Sequence, residues 1–247
     1  MSGTFLGIDL ASQPRRTGMA ILRADADRIV IDDVVVGVTD DDIHRVLPMV
    51  DKAGIDVPLG WPVAFAELVA AHERGELVVT DPLAWRRDAV LRATDHHVRE
   101  LTGTAPLSVA ADRIAYPALR WATIEASLRA DDVAVDRSGR DGIVCEVYPT
   151  AALRMWGLPH RSYKGGAHRH EREHLVRDLS GLMPELEWGR HRDVCSRDDN
   201  ALDAVLAALV ARDVHRGRAY GPVDAQVGLA RREGWIWIPA ARSRPSS

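Results

Sequence analysis

Lysine is nearly missing from this chain. Lys52 and Lys164 are the only two in 247 residues, and arginine supplies the rest of the 32 basic side chains. GC-rich coding is a sufficient explanation. Cysteine is equally sparse: Cys145 and Cys195 offer neither a disulfide framework nor the paired spacing of a zinc finger. No apolar run approaches the roughly 20 residues of a membrane span. No signal-type leader precedes the first strand pattern, so the expectation is a cytoplasmic protein with no membrane partner. Internal repeats and a Walker A sequence are also missing. Basic charge is not in excess either. The net charge of −4 excludes an overall field that would hold nucleic acid without specificity, and leaves room only for local basic patches.

What remains is an ordinary globular composition, 46% hydrophobic and 28% charged. Apolar runs predict strands over Thr4–Leu10, Thr17–Arg23 and Arg28–Gly37, a three-strand meander with Asp25-Ala26-Asp27 at its second turn. Asp40–Asp51 opens on an acidic turn and reads as a helix. A short buried strand follows at Ala53–Val57, ended by Pro58, Gly60 and Pro62. Helical spacing recurs over Val63–Arg74, Arg113–Ala130, Pro149–Trp156, His168–Ser180 and Asp199–Val214, with polar, partly helical sequence from Asp81 to Ala105. Further strands are expected at Gly142–Val147 and Trp235–Ile238. This order predicts a single α/β domain over 1–240 with a mixed sheet, a helical insert at about 62–140, and a disordered tail over 241–247.

Four isolated acids carry the chemistry. Asp203 stands in Ala201-Leu202-Asp203-Ala204-Val205-Leu206-Ala207-Ala208-Leu209-Val210-Ala211, apolar everywhere else. A carboxylate there is costly to bury unless a positive charge meets it. Asp199 lies four residues earlier on the same helix face. Asp9 ends the first strand pattern and Asp56 the fourth. Acids gathered at element ends suggest a site for divalent metal. Structural readings stand beside this one. Asp198 or Asp199 suits a helix N-cap, with Ser196-x-x-Asp199 resembling a capping box, and Asp56 before Val57-Pro58 suits a turn.

The arrangement resembles the ribonuclease H-like superfamily: an acid on the first strand, a meander, a helix, a strand ending in a second acid, and a late helix with more acids. Holliday-junction resolvases are similar in the Asp before, and the Asp within, an Ala-rich helix. More narrowly, the chain resembles domain-of-unknown-function family 429. The segments are Gly7-Ile8-Asp9-Leu10-Ala11, Gly54-Ile55-Asp56-Val57-Pro58-Leu59-Gly60-Trp61-Pro62 and Arg92-Ala93-Thr94-Asp95-His96-His97-Val98-Arg99. Cys145-Glu146-Val147-Tyr148-Pro149-Thr150-Ala151-Ala152-Leu153 and Asp198-Asp199-Asn200-Ala201-Leu202-Asp203-Ala204 follow in order. The resemblance implies a five-stranded mixed sheet flanked by helices and a metal-dependent nuclease. Asp9, Asp56, Asp199 and Asp203 would hold Mg²⁺ or Mn²⁺, with Glu146 a further catalytic candidate. The substrate would be nucleic acid or a nucleotide, and resolvase-like enzymes leave a homodimer open.

Basic residues that could position phosphate are Arg113, before the long insert helix, and Lys164, in the loop Tyr163-Lys164-Gly165-Gly166, which reads as flexible. Arg86, Arg87, Arg92 and Arg99 read as a solvated stripe, and Trp61, Trp85, Trp121 and Trp156 as packing. His170-Glu171-Arg172-Glu173-His174 matches the zinc-hydrolase spacing H-E-x-x-H, but its charged middle and flanks read as a solvated helix. Actin-like ATPases and sugar kinases share a first-strand Asp. Ala11–Gly18 is not an evident phosphate-cradling turn, so a nucleotide-binding or non-catalytic module is the alternative reading rather than the leading one.

Overall fold

The computed structural model describes residues 2–78 and 81–242. The chain begins with strands β1 (Gly3–Asp9), β2 (Gly18–Ala24) and β3 (Ile29–Val36), then helix α1 (Asp40–Val46) and strand β4 (Lys52–Asp56). Four helices follow: α2 (Val63–Glu73), α3 (Pro82–Val90), α4 (Ala93–Thr102) and α5 (Ala115–Ala130). Then come β5 (Val144–Val147), α6 (Pro149–Met155), α7 (Arg169–Leu182), β6 (Leu186–Glu187), α8 (Arg192–Arg197) and α9 (Asp199–His215). Strand β7 (Ala219–Tyr220), helix α10 (Asp224–Glu233) and strand β8 (Ile236–Pro239) complete the order. No helix among the described residues is long and apolar enough to cross a membrane.

Local chemistry sets several boundaries. Thr39 caps α1 in a reciprocal box with Asp42, and three acids fill the first turn. Pro48 cannot continue the α-helical ladder, so the expected helix to Asp51 tightens to a 3-10 turn at Leu47–Met49. Asp198, not Ser196, caps α9: its carboxylate accepts from the N–H groups of Asn200 and Ala201. The Ser196 hydroxyl donates to the Arg192 carbonyl instead, so no Ser196–Asp199 box forms.

The sheet has eight strands in the order β6-β3-β2-β1-β4-β5-β8-β7, not the five expected. The meander β1–β2–β3 is antiparallel, while β1, β4, β5 and β8 run parallel. β6 and β7 extend its edges with two residues each. Side chains alternate faces along a strand. Phe5 of β1 therefore joins the core on the α9 side, while Leu6 and Ile8 join the core beneath α1 and α5. On that second side Ile43, Trp121, Ile124 and Leu128 close the layer. Helix α5 thus belongs to the core, although the expected insert at 62–140 took it in.

Helix α9 is buried continuously from Ala201 to Val214, between the sheet and the helices α6 and α7. It lies unusually close to the sheet because two neighbouring strand positions carry no side chain. Gly7 and Gly54 are register partners on β1 and β4. A Cβ on Gly7 would fall 1.9 Å from the Ala204 carbonyl oxygen, and one on Gly54 2.4 Å from that of Ala207.

Two arginines correct the solvated reading. Arg92 is 1% exposed and bridges Asp95, Glu146 and the Glu233 carbonyl. Glu233 in turn accepts from the N–H groups of Val63 and Ala93, one at the start of α2 and one at the start of α4. This network fastens the insert to β5 and α10. Arg172 is fully buried as well. Of the expected tail over 241–247, Arg242 pairs with Asp213 and Glu185, while 243–247 lie outside the described residues.

Gly7→Ala should force α9 off the sheet and destabilise the protein by about 3 kcal/mol or more in urea denaturation. Gly181→Ala, at an open position in α7, should instead gain about 0.5–1 kcal/mol. Arg92→Met should lose about 3–5 kcal/mol by the same measurement, because two buried carboxylates lose their partner.

Candidate metal centre

Strand alternation delivers the acids. Asp9 and Asp56 lie two residues beyond Gly7 and Gly54, so each pair shares the sheet face on which α9 rests. They are themselves register partners. The helix that touches Gly7 through Ala204 brings Asp203 to the same point. One carboxylate oxygen from each of Asp9, Asp56 and Asp203 lies within 4.8 Å of the other two. Among the described residues this is the group of three side chains able to hold a metal ion.

The cluster is electrostatically costly. Burial, followed by repulsion from Asp203 and Asp56, holds the Asp9 carboxyl well above the usual range. Asp56 is pushed up to about 7, chiefly by burial, with Lys164 opposing and Asp203 and Glu146 adding to the shift. Asp203 is 1% exposed but fully engaged. The Tyr163 hydroxyl donates to its Oδ1 at 2.8 Å, and the Lys164 ammonium pairs with its Oδ2 at 2.6 Å. Burial works against the charge of Lys164, but Asp203, Tyr163, Asp56 and Asp9 hold its pKa well above the ordinary lysine range.

The loop that carries Lys164 is held, against the expectation of flexibility. Arg172 donates to the carbonyls of Tyr163, Gly165, Ser196 and Arg197 at 2.7, 2.8, 3.1 and 2.8 Å. The Gly165 N–H donates to Asp199 Oδ2 at 3.1 Å. Gly165 has φ +90°, a conformation natural to glycine and strained for other residues. Asp199 therefore borders the centre and positions its loop, but does not join the three converging acids. Glu146 does not join them either. Both its oxygens accept from Arg92 at 2.8 Å, and Oε2 also takes the Leu59 N–H.

Asp9 and Asp56 line a cavity of about 350 Å³ that Arg113 and Lys164 also line. A depression of about 440 Å³ lies at the opposite end of β1, lined by Gly3, Arg23, Arg28 and Asp51. Its charged groups are occupied elsewhere: Arg23 by Asp32, Arg28 by Glu187, and Asp51 by the Thr4 N–H. It gathers no convergent acids.

His170 and His174 sit on the exposed face of α7 with their Nε2 atoms 3.2 Å apart, and Glu171 turns to His168. No third ligand meets this pair among the described residues. Tyr163 and Arg172 are neighbours of the candidate site that no motif marks. Arg172 had a signal: it falls in register with Leu175, Val176, Leu179 and Leu182, the buried stripe of α7. Tyr163 had none beyond its place beside Lys164.

A family model described as "Protein of unknown function (DUF429)" matches residues 7–226. No curated protein and no solved structure matches the chain.

A carboxyl whose folded pKa is raised stabilises the native state while it is protonated. That contribution is complete below the unfolded value near 3.8 and is lost as pH rises through about 7. Metal-free protein should therefore lose stability between pH 4 and 7.5. Asp56→Asn should flatten that slope by on the order of a few kcal/mol in chelator-treated urea titrations.

Proposed function

The chain belongs to the family described as "Protein of unknown function (DUF429)", and within it we propose a metal-dependent phosphodiesterase with a ribonuclease H-like core. The observation that carries this is the convergence of Asp9, Asp56 and Asp203 from two adjacent strand ends and a crossing helix. The order β3-β2-β1-β4-β5, antiparallel through β1 and parallel beyond it, supports the core assignment. Two free, buried cysteines suit a reducing, cytoplasmic setting.

The donor set fits Mg²⁺ or Mn²⁺. These are hard cations that take carboxylate oxygens, and three converging acids, one of them buried, call for positive charge. A bound divalent ion would supply Lewis-acid polarisation of a phosphoryl oxygen and a more acidic water. Asp9, at the end of the central strand β1 and beside its register partner Asp56, would supply one of the ligand oxygens. Asp203 is held by Tyr163 through one oxygen, which fixes the direction of the other. Lys164 neutralises that second oxygen and lies where an anionic phosphoryl group would also meet it.

Hydrolysis would add a water oxygen to phosphorus as the ester P–O bond breaks. The electron pair leaves with the sugar oxygen, which is reprotonated, and the attacking water yields its proton to solvent. The close partnership of Lys164, Tyr163 and Asp203 favours one second reading, a nucleotide-binding or non-catalytic module in which these charges satisfy one another. Titration of cation separates the two.

Calorimetric titration of Mn²⁺ and Mg²⁺ should show binding to the wild type that Asp9→Asn and Asp203→Asn abolish. Turnover of an activated phosphodiester with Mn²⁺ should fall at least about 100-fold in both variants, about 2.7 kcal/mol of barrier, with circular dichroism unchanged. His170→Ala/His174→Ala should retain turnover. Full activity in either Asp variant, or no cation binding at all, would overturn the assignment.

A further inference from the structure

The walls of the cavity limit what can reach the acids. Asp9, Asp56 and Lys164 line it, and Asp203, whose carboxylate converges with the two strand acids, is 1% exposed. One wall is Tyr148 and Thr150, from the junction of β5 and α6. The cavity is also lined by the segment between α4 and α5 and the first turn of α5: Pro106, Leu107, Arg113, Ile114 and Pro117. At about 350 Å³ the space sits near the small end of ligand cavities, which run from roughly 300 to 1,000 Å³. A reacting phosphorus must descend between these walls.

The charge inventory agrees with a small substrate. Duplex binders neutralise about 6–10 phosphates with basic side chains. Three cations line this cavity, but Arg92 is committed to Asp95, Glu146 and the Glu233 carbonyl and Lys164 pairs with Asp203, so few remain for phosphates. Tyr148 is the aromatic residue among its walls. It packs against the cluster of Val98, Ala151, Ile236 and Ile238 while lining the cavity, so its ring is braced. Leu107, which lines the same cavity, is 43% exposed although apolar. An aromatic ring and an exposed apolar side chain lining one cavity are the elements that can stack a nucleobase.

Resting on the phosphodiesterase reading above, we propose that the site takes one nucleoside unit with its phosphodiester. The base would lie between Tyr148 and the Leu107 wall, and the ester over the acids beside Arg113. A dinucleotide or the end of a single strand can present this unit. A duplex interior presents it only by extruding the base from its stack, at the free-energy cost of unstacking and unpairing it.

Mn²⁺-dependent cleavage of a dinucleoside phosphate, a single-stranded oligonucleotide and a covalently closed plasmid tests this directly. The dinucleotide should be cut, the oligonucleotide should shorten from its end if strand termini are used, and the plasmid should react at least 100-fold more slowly. Tyr148→Leu and the exposed-wall variant Leu107→Glu should each raise KM for the dinucleotide at least tenfold more than for methyl p-nitrophenyl phosphate, which has no base. Nicking of the plasmid at the dinucleotide rate, or equal KM changes for both esters, would overturn the proposal and leave the phosphodiesterase standing. Adenosine monophosphate binding to Asp9→Asn provides the second arm. Binding weakened by Tyr148→Leu, with no ester cleaved by wild type, keeps the nucleoside site and removes the hydrolase. Neither binding nor cleavage removes both.

Discussion

The close seat of α9 on a strip of sheet that has no side chains is what the rest of the structure depends on. Gly7 and Gly54 lie side by side, and the helix backbone at Ala204 and Ala207 occupies the space their Cβ atoms would need. Glycine in a strand costs about 0.5–1 kcal/mol relative to alanine. That cost is offset by a helix buried from Ala201 to Val214. The same alternation that aims Gly7 and Gly54 at the helix aims Asp9 and Asp56 at it two residues later. Packing and site are thus one feature: a helix held further away would leave Asp203 out of reach of the strand acids.

Gathering buried carboxylates works against stability, and the fold answers with cations chosen by shape. The scarcity of lysine makes the choice visible. Arg92 meets two carboxylates and Arg172 four carbonyls, tasks suited to a planar fork with several donors. The two lysines stand where a compact charge on a flexible stem fits better. Lys52 is 5% exposed and reaches the carbonyls of Gly139 and Gly142, while Lys164 enters the acid cluster. An arginine in place of Lys164 would bring a rigid fork into a space bounded by three acids and a tyrosine. It would hold them together at least as strongly, and yield them less readily to a competing cation.

Much of this was legible in the chain. Isolated acids against apolar surroundings marked Asp9, Asp56 and Asp203, because such positions carry a free-energy cost that packing alone does not repay. The meander and the parallel strands beyond it were equally visible, as apolar runs between turn residues. Strands β6 and β7 were not: two residues carry no periodicity, and their pairing is decided by neighbours far away in sequence. Helix α10 was hidden by its polar composition and Gly228. Glu146 was a reasonable candidate by type and position. Its partner, Arg92, lies 54 residues away, in a stretch whose arginines all looked solvated. Burial of an arginine shows in sequence only when it falls on an apolar stripe, as Arg172 does.

Arg92 also explains how the cavity keeps its form. The wall segment between α4 and α5 hangs from two fixed points. At one end, α4 is fastened through Arg92 to β5 and through Ala93 to Glu233, the last residue of α10. At the other, α5 sinks Trp121, Ile124 and Leu128 into the core beneath the sheet. Within the wall, Ser108 donates to the Val90 carbonyl and accepts the N–H groups of Ala110 and Ala111. The Tyr148 side rests on β5 itself. Both sides are therefore held by buried ionic and apolar contacts, the two least compliant elements available to the chain. A site bounded this way selects by the shape it already has. The acids that line the cavity and the proposed limit on substrate size would rest on the same anchored framework, so the ion network outside the acid cluster would be part of how the cluster is used.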